Sequence, residues 1–296
     1  MLQNQLRGTG VALVTPFSPD LQVDYPALDR LIEKVIEGGV EYLVTLGSTG
    51  EAAVLSREER DSVIRFTVRT AAGRVPVVVG VGGNNTAAVV EELGSLPLDG
   101  VLAILSSSPQ YNKPSQEGIF RHFKTLAETS PLPIILYNVP GRTGSNMAAS
   151  TTVRLAREVP GIVGIKEASG NMGQCLQILR DRPEGFLVVS GDDHLALPLV
   201  ACGAEGVISV AANCFPKTFS GLIRSGLAGR IPEASKALLG LLEGLDLLFV
   251  ENNPAGVKAF LAEQKVIRNV LRLPLVPLGE PYAGQVRKFN AGLAQL

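Results

Sequence analysis

The segment GIVGIKEASG, residues 161–170, sets a lysine, Lys166, directly behind Ile162, Val163, Gly164 and Ile165. Lysine is among the residues least often fully buried, so an amine in such a run calls for a reason. Removal from water disfavours the ammonium form, and a neutral amine attacks carbonyls to form a Schiff base. Of the nine lysines in the chain, Lys166 alone stands in an apolar strand-like run. Alternation along a strand puts Ile162, Gly164, Lys166 and Ala168 on one face and Val163, Ile165 and Glu167 on the other. Gly164 would then leave room beside the lysine stem. The plainer reading is an ion pair with a core carboxylate, Glu167 or Glu51.

Chemistry at an iminium also needs groups that move protons and groups that hold anions. In PIILYNV, near 133–139, Tyr137 shares a face with Ile135. A phenol, with an ordinary pKa of about 10, is a poor base alone. A chain through Ser48 and a second tyrosine, Tyr111, would carry protons to solvent. A strand tyrosine is equally at home as core packing with its hydroxyl satisfied. Gly47-Ser48-Thr49-Gly50 offers two hydroxyls and loop amides, a group suited to a carboxylate, or simply a turn. Arg142, after Pro140-Gly141, can grip a second carboxylate or be a solvated loop arginine. Ser190-Gly191-Asp192-Asp193 is acidic where a phosphate-binding barrel would be expected to hold its phosphate.

These residues recur at the ends of a repeating pattern. Apolar runs occur near 10–16, 42–48, 75–82, 100–106, 133–139, 162–169, 186–193 and 206–213, each followed by a longer amphipathic or small-residue segment. The runs are apolar throughout, as in parallel strands covered on both faces. Leu28, Leu31, Ile32, Val35 and Ile36 have helical spacing, and Ser56 with Glu59 is a capping-box signature. Units repeating every 25–30 residues or so predict an α/β fold, a (β/α)8 barrel, over 1–229. Its active site would lie at the C-terminal ends of the strands. The remainder, 230–296, reads as a helical extension packed on the barrel. A doubly wound open sheet is the alternative, but it would normally carry a dinucleotide loop. GVGGNN at 80–85 follows a strand, yet Asn85 stands where the third glycine of that motif belongs.

Bulk properties narrow the partners. The 296 residues carry 27 basic and 28 acidic side chains, a net charge of −1. That balance points away from nucleic acid and anionic membrane and toward small molecules or further copies of the chain. Cys175, Cys202 and Cys214 have no metal-ligand spacing and are expected to be buried small apolar residues in a reducing cytoplasm. Two histidines, His122 and His194, give zinc or Ser-His-Asp chemistry little to work with. MLQNQLRGTG lacks the pattern of a signal peptide. The most membrane-like stretch, roughly 194–216, is interrupted by Pro198, Gly203, Glu205 and Gly206 and is read as a buried helix followed by a buried strand.

Taken in order, GTGVALVTPF, GSTGE, YNKPSQEG, YNVPGRTG, GIKEASG, SGDD, GVISV and NNPAGVKAFL resemble the dihydrodipicolinate synthase family, one of the pyruvate-dependent Schiff-base lyases, almost end to end. The resemblance implies that Lys166 forms the Schiff base with pyruvate and that Ser48 and Thr49 hold its carboxylate. It implies a proton relay of Tyr137, Ser48 and Tyr111, with Tyr111 reaching in from a neighbouring subunit. Arg142 would receive the carboxylate of L-aspartate 4-semialdehyde, Ile208 would contribute a backbone contact to pyruvate, and Gly191 would join the substrate-binding set. No metal or organic cofactor is implied. The implied assembly is a homotetramer, a dimer of tight dimers.

Relatives acting on N-acetylneuraminate or on 2-keto-3-deoxy sugar acids share GSTGE and the lysine motif, but typically lack the arginine of YNVPGRTG. Arg142 therefore favours synthase over aldolase. A keto-acid sensor without turnover is a further alternative, though it would not need both tyrosines. Ser48 stands where the synthase often has threonine. The positions matching the family's lysine-inhibition site are Ala52, Ala53, Arg57, Arg60, Asn84, Ala88 and Gln110. Only Ala53 and Asn84 agree with the inhibited pattern, and two arginines replace histidines. Weak or absent feedback inhibition by lysine is the expectation.

Overall fold

The computed structural model describes residues 2–292. Eight strands pair in parallel, each with its neighbours in the chain, and close on themselves: β1 (Gly8–Ala12), β2 (Tyr42–Thr45), β3 (Val77–Gly80), β4 (Ala103–Ser107), β5 (Ile134–Asn138), β6 (Ile162–Glu167), β7 (Leu187–Ser190) and β8 (Gly206–Ser209). Helices lie between them, which makes the fold a (β/α)8, or TIM, barrel. Two apolar regions follow from strand alternation. Tyr42, Val44, Val78, Leu105, Ile135, Leu187, Val189 and Ile208 fill the barrel interior. Val11, Leu43, Val79, Ile104, Ile165 and Val188 point outward into a larger core shared with the helices.

The helices form where their apolar spacing predicts. Tyr25–Glu37 buries Leu28, Leu31, Ile32 and Val35. Arg57–Ala71 starts with both halves of its capping box made: Ser56 Oγ accepts from Glu59 N, and Glu59 accepts from Ser56 N at 2.9 Å. Asn85, the residue that spoils the dinucleotide motif, caps Thr86–Leu93 by accepting from Ala88 N. The stretch near 194–216 is a short helix, Ala196–Ala201, followed by β8. No helix among the described residues is long and apolar enough to cross a membrane. Cys175 and Cys214 are buried, but Cys202 is exposed, just past the end of its helix.

The strands end earlier than the apolar runs do. Leu13 and Val14 are buried after β1 has stopped pairing, and Ala211–Asn213 after β8 is a 3₁₀ turn. Loops at the barrel mouth are themselves covered, so apolarity continues where the hydrogen-bond ladder does not. The cover comes from the C-terminal helices Ile231–Phe249, Ala255–Glu263 and Tyr282–Gly292. Phe215, Phe260 and Phe289 pack edge-on, with centroids 5.4–6.1 Å apart, and join the last two of these helices to the segment after β8.

Candidate active site

Along β6 the simple alternation breaks once. Ile162 pairs with Ile134 but Gly164 pairs with Ile135, so one extra residue is inserted at Val163. Ile162 consequently packs with the outer core and Val163 against the barrel interior, the reverse of strict parity. Beyond the bulge Ile165 faces the helices. Lys166 faces the barrel axis, pairs with Tyr137 in register, and is 5% exposed. Its Nζ lies 4.4 Å from the centroid of the Tyr137 ring.

Room for the lysine stem comes from Gly191 rather than Gly164. A β-carbon at Gly191 would sit 2.8 Å from Lys166 Cε and 3.0 Å from Cγ, whereas one at Gly164 would strike Leu187. Both carboxylates offered by the plainer reading are engaged elsewhere. Glu167, on the opposite face of β6, accepts from Asn138 Nδ2, Ser169 N and Gln174 Nε2. Glu51 pairs with Lys258, both side chains fully buried. The Lys166 amine is thus enclosed, beside a phenol ring, with neither carboxylate as its counter-ion.

The segment after β2 forms a 3₁₀ turn, Ser48–Gly50, closed by Glu51 at φ 53°. Thr15 Oγ1 donates to Gly50 O at 2.7 Å and ties this turn to the segment after β1. Ser48 is exposed at the mouth and Thr49 is buried. Thr49 Oγ1 accepts from Asn253 Nδ2 at 2.7 Å, and Arg142 Nη2 donates to Asn253 O at 2.9 Å. Arg142 belongs to the short helix Pro140–Thr143 after β5. The carboxylate-binding candidates of two loops therefore meet on one residue of the C-terminal extension.

After β7, Asp193 turns inward. Its Oδ2 accepts from Val210 N at 3.0 Å and Ala211 N at 2.9 Å, while Oδ1 is buried with no partner among the described residues. Burial raises its pKa above the ordinary carboxylate range. Amides that would cradle a phosphate after strand eight are thus occupied by an internal carboxylate, in keeping with a substrate that carries none. His194 donates its backbone N–H to Asp192 Oδ1, and its Nε2 lies 2.9 Å from Asp246 Oδ1. Hydrogen bonding to Asp192 raises the His194 pKa to about 9. Ile208, buried within the barrel, completes this wall.

Lys166, Tyr137 and Gly191 are gathered at one place; Thr49 and Arg142 are joined through Asn253; Ser48 lies at the rim. Tyr111 is not gathered within the chain. It is 87% exposed at φ 69°, its backbone N–H donating to Thr143 O. Asn253, Lys258 and the inward turn of Asp193 are not among the candidates that the sequence offers. Lys258 carries the same signal as Lys166, an amine within an apolar run (PAGVKAFL). Its burial lowers its pKa to about 8 despite the Glu51 partner. Asn253 had no such signal, because its partners lie far away in sequence.

The family model described as "Dihydrodipicolinate synthetase family" matches residues 5–290. A 4-hydroxy-tetrahydrodipicolinate synthase of Flavobacterium psychrophilum is 48% identical over 288 residues, covering 97% of this chain and 98% of that protein. One from Neisseria meningitidis serogroup B is 46% identical over 291 residues, covering 98% of this chain and 100% of that one. Among solved structures, the chloride-inhibited dihydrodipicolinate synthase of Acinetobacter baumannii complexed with pyruvate is 41% identical. It superposes with a TM-score of 0.94 over 97% of this chain and 99% of its own.

Proposed function

The chain belongs to the dihydrodipicolinate synthetase family, and from that premise we propose that it condenses pyruvate with L-aspartate 4-semialdehyde to give 4-hydroxy-tetrahydrodipicolinate, on the route to diaminopimelate and lysine. The Lys166 amine adds to C2 of pyruvate and water leaves, giving an iminium. Loss of a C3 proton gives the enamine, whose carbon attacks the aldehyde. The amine of the second substrate then adds to C2, displaces Lys166 and closes the ring. Thr49 and Ser48 hold the pyruvate carboxylate, with Gly191 and the Ile208 backbone beside it. Arg142 receives the carboxylate of the second substrate. Tyr137, Ser48 and Tyr111 relay protons. The observation that carries this reading is the enclosed Lys166 amine, 4.4 Å from the Tyr137 ring centroid, with Glu51 and Glu167 both bonded elsewhere. Borohydride reduction in the presence of pyruvate, followed by peptide mass mapping, should place one adduct on the Lys166 peptide. Adducts elsewhere, or none, would remove the starting point of the reaction.

The same reading includes weak or absent feedback by lysine. Arg57 and Arg60 stand where the inhibited pattern has histidines, and Ala88 where it has a carboxylate. Arg60 pairs with Glu92 at 2.9 Å, which leaves that glutamate engaged. A lysine ligand would bring its own positive charge to this surface. Steady-state rates should be unchanged by sub-millimolar L-lysine; half-inhibition in that range would contradict the reading. A homotetramer in a reducing cytoplasm completes it, supported by the exposed Tyr111 ring and by three free thiols.

A further inference from the structure

Asn253 stands just before the helix Ala255–Glu263, outside the barrel strands, yet its side chain is buried against Thr49. A hydroxyl has one proton to give and two acceptor sites. At Thr49 one acceptor site is filled by Asn253 Nδ2 at 2.7 Å, and the Thr49 O–H has no protein acceptor among the described residues. A carboxylate can only accept, so a hydroxyl whose proton is left free is what it requires. The other half of the amide serves no visible purpose: Asn253 Oδ1 is buried with no partner among the described residues. A buried unpaired acceptor is a standing desolvation cost, and an apolar side chain would avoid it. The amide donor is the half with a use. The backbone carbonyl of the same residue holds Arg142 at 2.9 Å.

We propose that Asn253 is a positioning residue for substrate carboxylates: its side-chain amide commits the Thr49 hydroxyl proton to the pyruvate carboxylate, while its backbone carbonyl sets the reach of Arg142. The inference rests on the roles proposed above for Thr49 and Arg142. The C-terminal extension is then part of the substrate site, not only its cover.

The two halves of Asn253 separate in a mutational test. Asn253→Ala removes the amide and leaves the carbonyl. The KM for pyruvate should rise about tenfold, with kcat and the KM for aspartate semialdehyde within about threefold of the parent. Asn253→Asp keeps the shape but turns the donor into an acceptor, which takes the Thr49 proton and adds a negative charge beside the substrate. Its pyruvate KM should rise about a hundredfold. In a Thr49→Val background Asn253→Ala should add nothing, because it acts through Thr49. Asn253→Ser, too short to reach Thr49, gives the alanine result and serves if alanine does not fold. Unchanged pyruvate KM in these variants, additivity with Thr49→Val, or a fall in kcat with both KM values unmoved would overturn the proposal. Borohydride trapping of pyruvate by the parent protein is run alongside. No adduct on Lys166 there would defeat the functional reading itself; an adduct with unmoved variants defeats only the role of Asn253.

Discussion

At Gly191 the missing side chain is filled by the stem of Lys166. An added β-carbon would lie 2.8 Å from Cε and 2.6 Å from the Ala168 Cβ. Overpacking of this kind typically costs about 1–3 kcal/mol when the surroundings shift, and here the movable part is the lysine itself. Gly191→Ala should therefore lower kcat/KM on the order of a hundredfold, since small misplacements of reacting groups have effects of that size. The loss of thermal stability should be only a few degrees. Steady-state kinetics beside a melting curve checks both halves. A variant that melts far earlier, or keeps full activity, would show that the lysine does not need this space. At the same scale Lys166 and Tyr137 were legible because strand parity aims both inward. Gly164 was misjudged because the space beside it is taken by Leu187, its pairing partner on β7.

The extension engages the loop after β2 through buried charge. Lys258, in the helix Ala255–Glu263, pairs with Glu51 and donates to Val270 O at 3.0 Å; Arg272 N donates to Glu51 Oε2 at 3.1 Å. Two cations stand over the ring of Phe17, Lys258 Nζ 4.2 Å and Arg272 Cζ 4.5 Å from its centroid. Arg272 also pairs with Glu59, in the first turn of Arg57–Ala71. Removing one member of a buried pair leaves the other uncompensated, at a typical cost of about 3–5 kcal/mol. Lys258→Met should destabilise by that order in urea unfolding, and Lys258→Met combined with Glu51→Gln should recover most of it. If the double variant is no better than the single, the pair is not the element that holds helix to loop. Helices and strands were legible from spacing and apolar runs. The strand ends were not, because burial of the mouth by the extension keeps the sequence apolar after pairing stops.

For the whole molecule, closure of the sheet puts the ends of eight strands around one mouth, and Asn253 joins Thr49, after β2, to Arg142, after β5. Tyr111 is the member the single chain leaves outside, 87% exposed. If a neighbouring subunit supplies it, Lys166→Ala should be inactive alone and Tyr111→Phe should lose about 10²-fold or more. Mixed and allowed to reassemble, they should regain part of the activity, since some sites would then combine an intact lysine with a partner's intact tyrosine. Mixtures as inactive as the separate variants would argue that Tyr111 works within its own chain or not at all.

From order along the chain alone came the repeating strand–helix unit, the inward lysine, the tyrosine beside it and the hydroxyl and arginine loops, each a matter of residue type and short-range periodicity. The tertiary structure decided which glycine makes space for the amine, which of the candidate carboxylates it avoids, and that Asn253 and Lys258 reach back across some two hundred residues to Thr49 and Glu51. Periodicity constrains which face a side chain takes; it carries no information on what the far end of the chain will bring to that face. That is settled only when the barrel closes and the extension packs over its mouth.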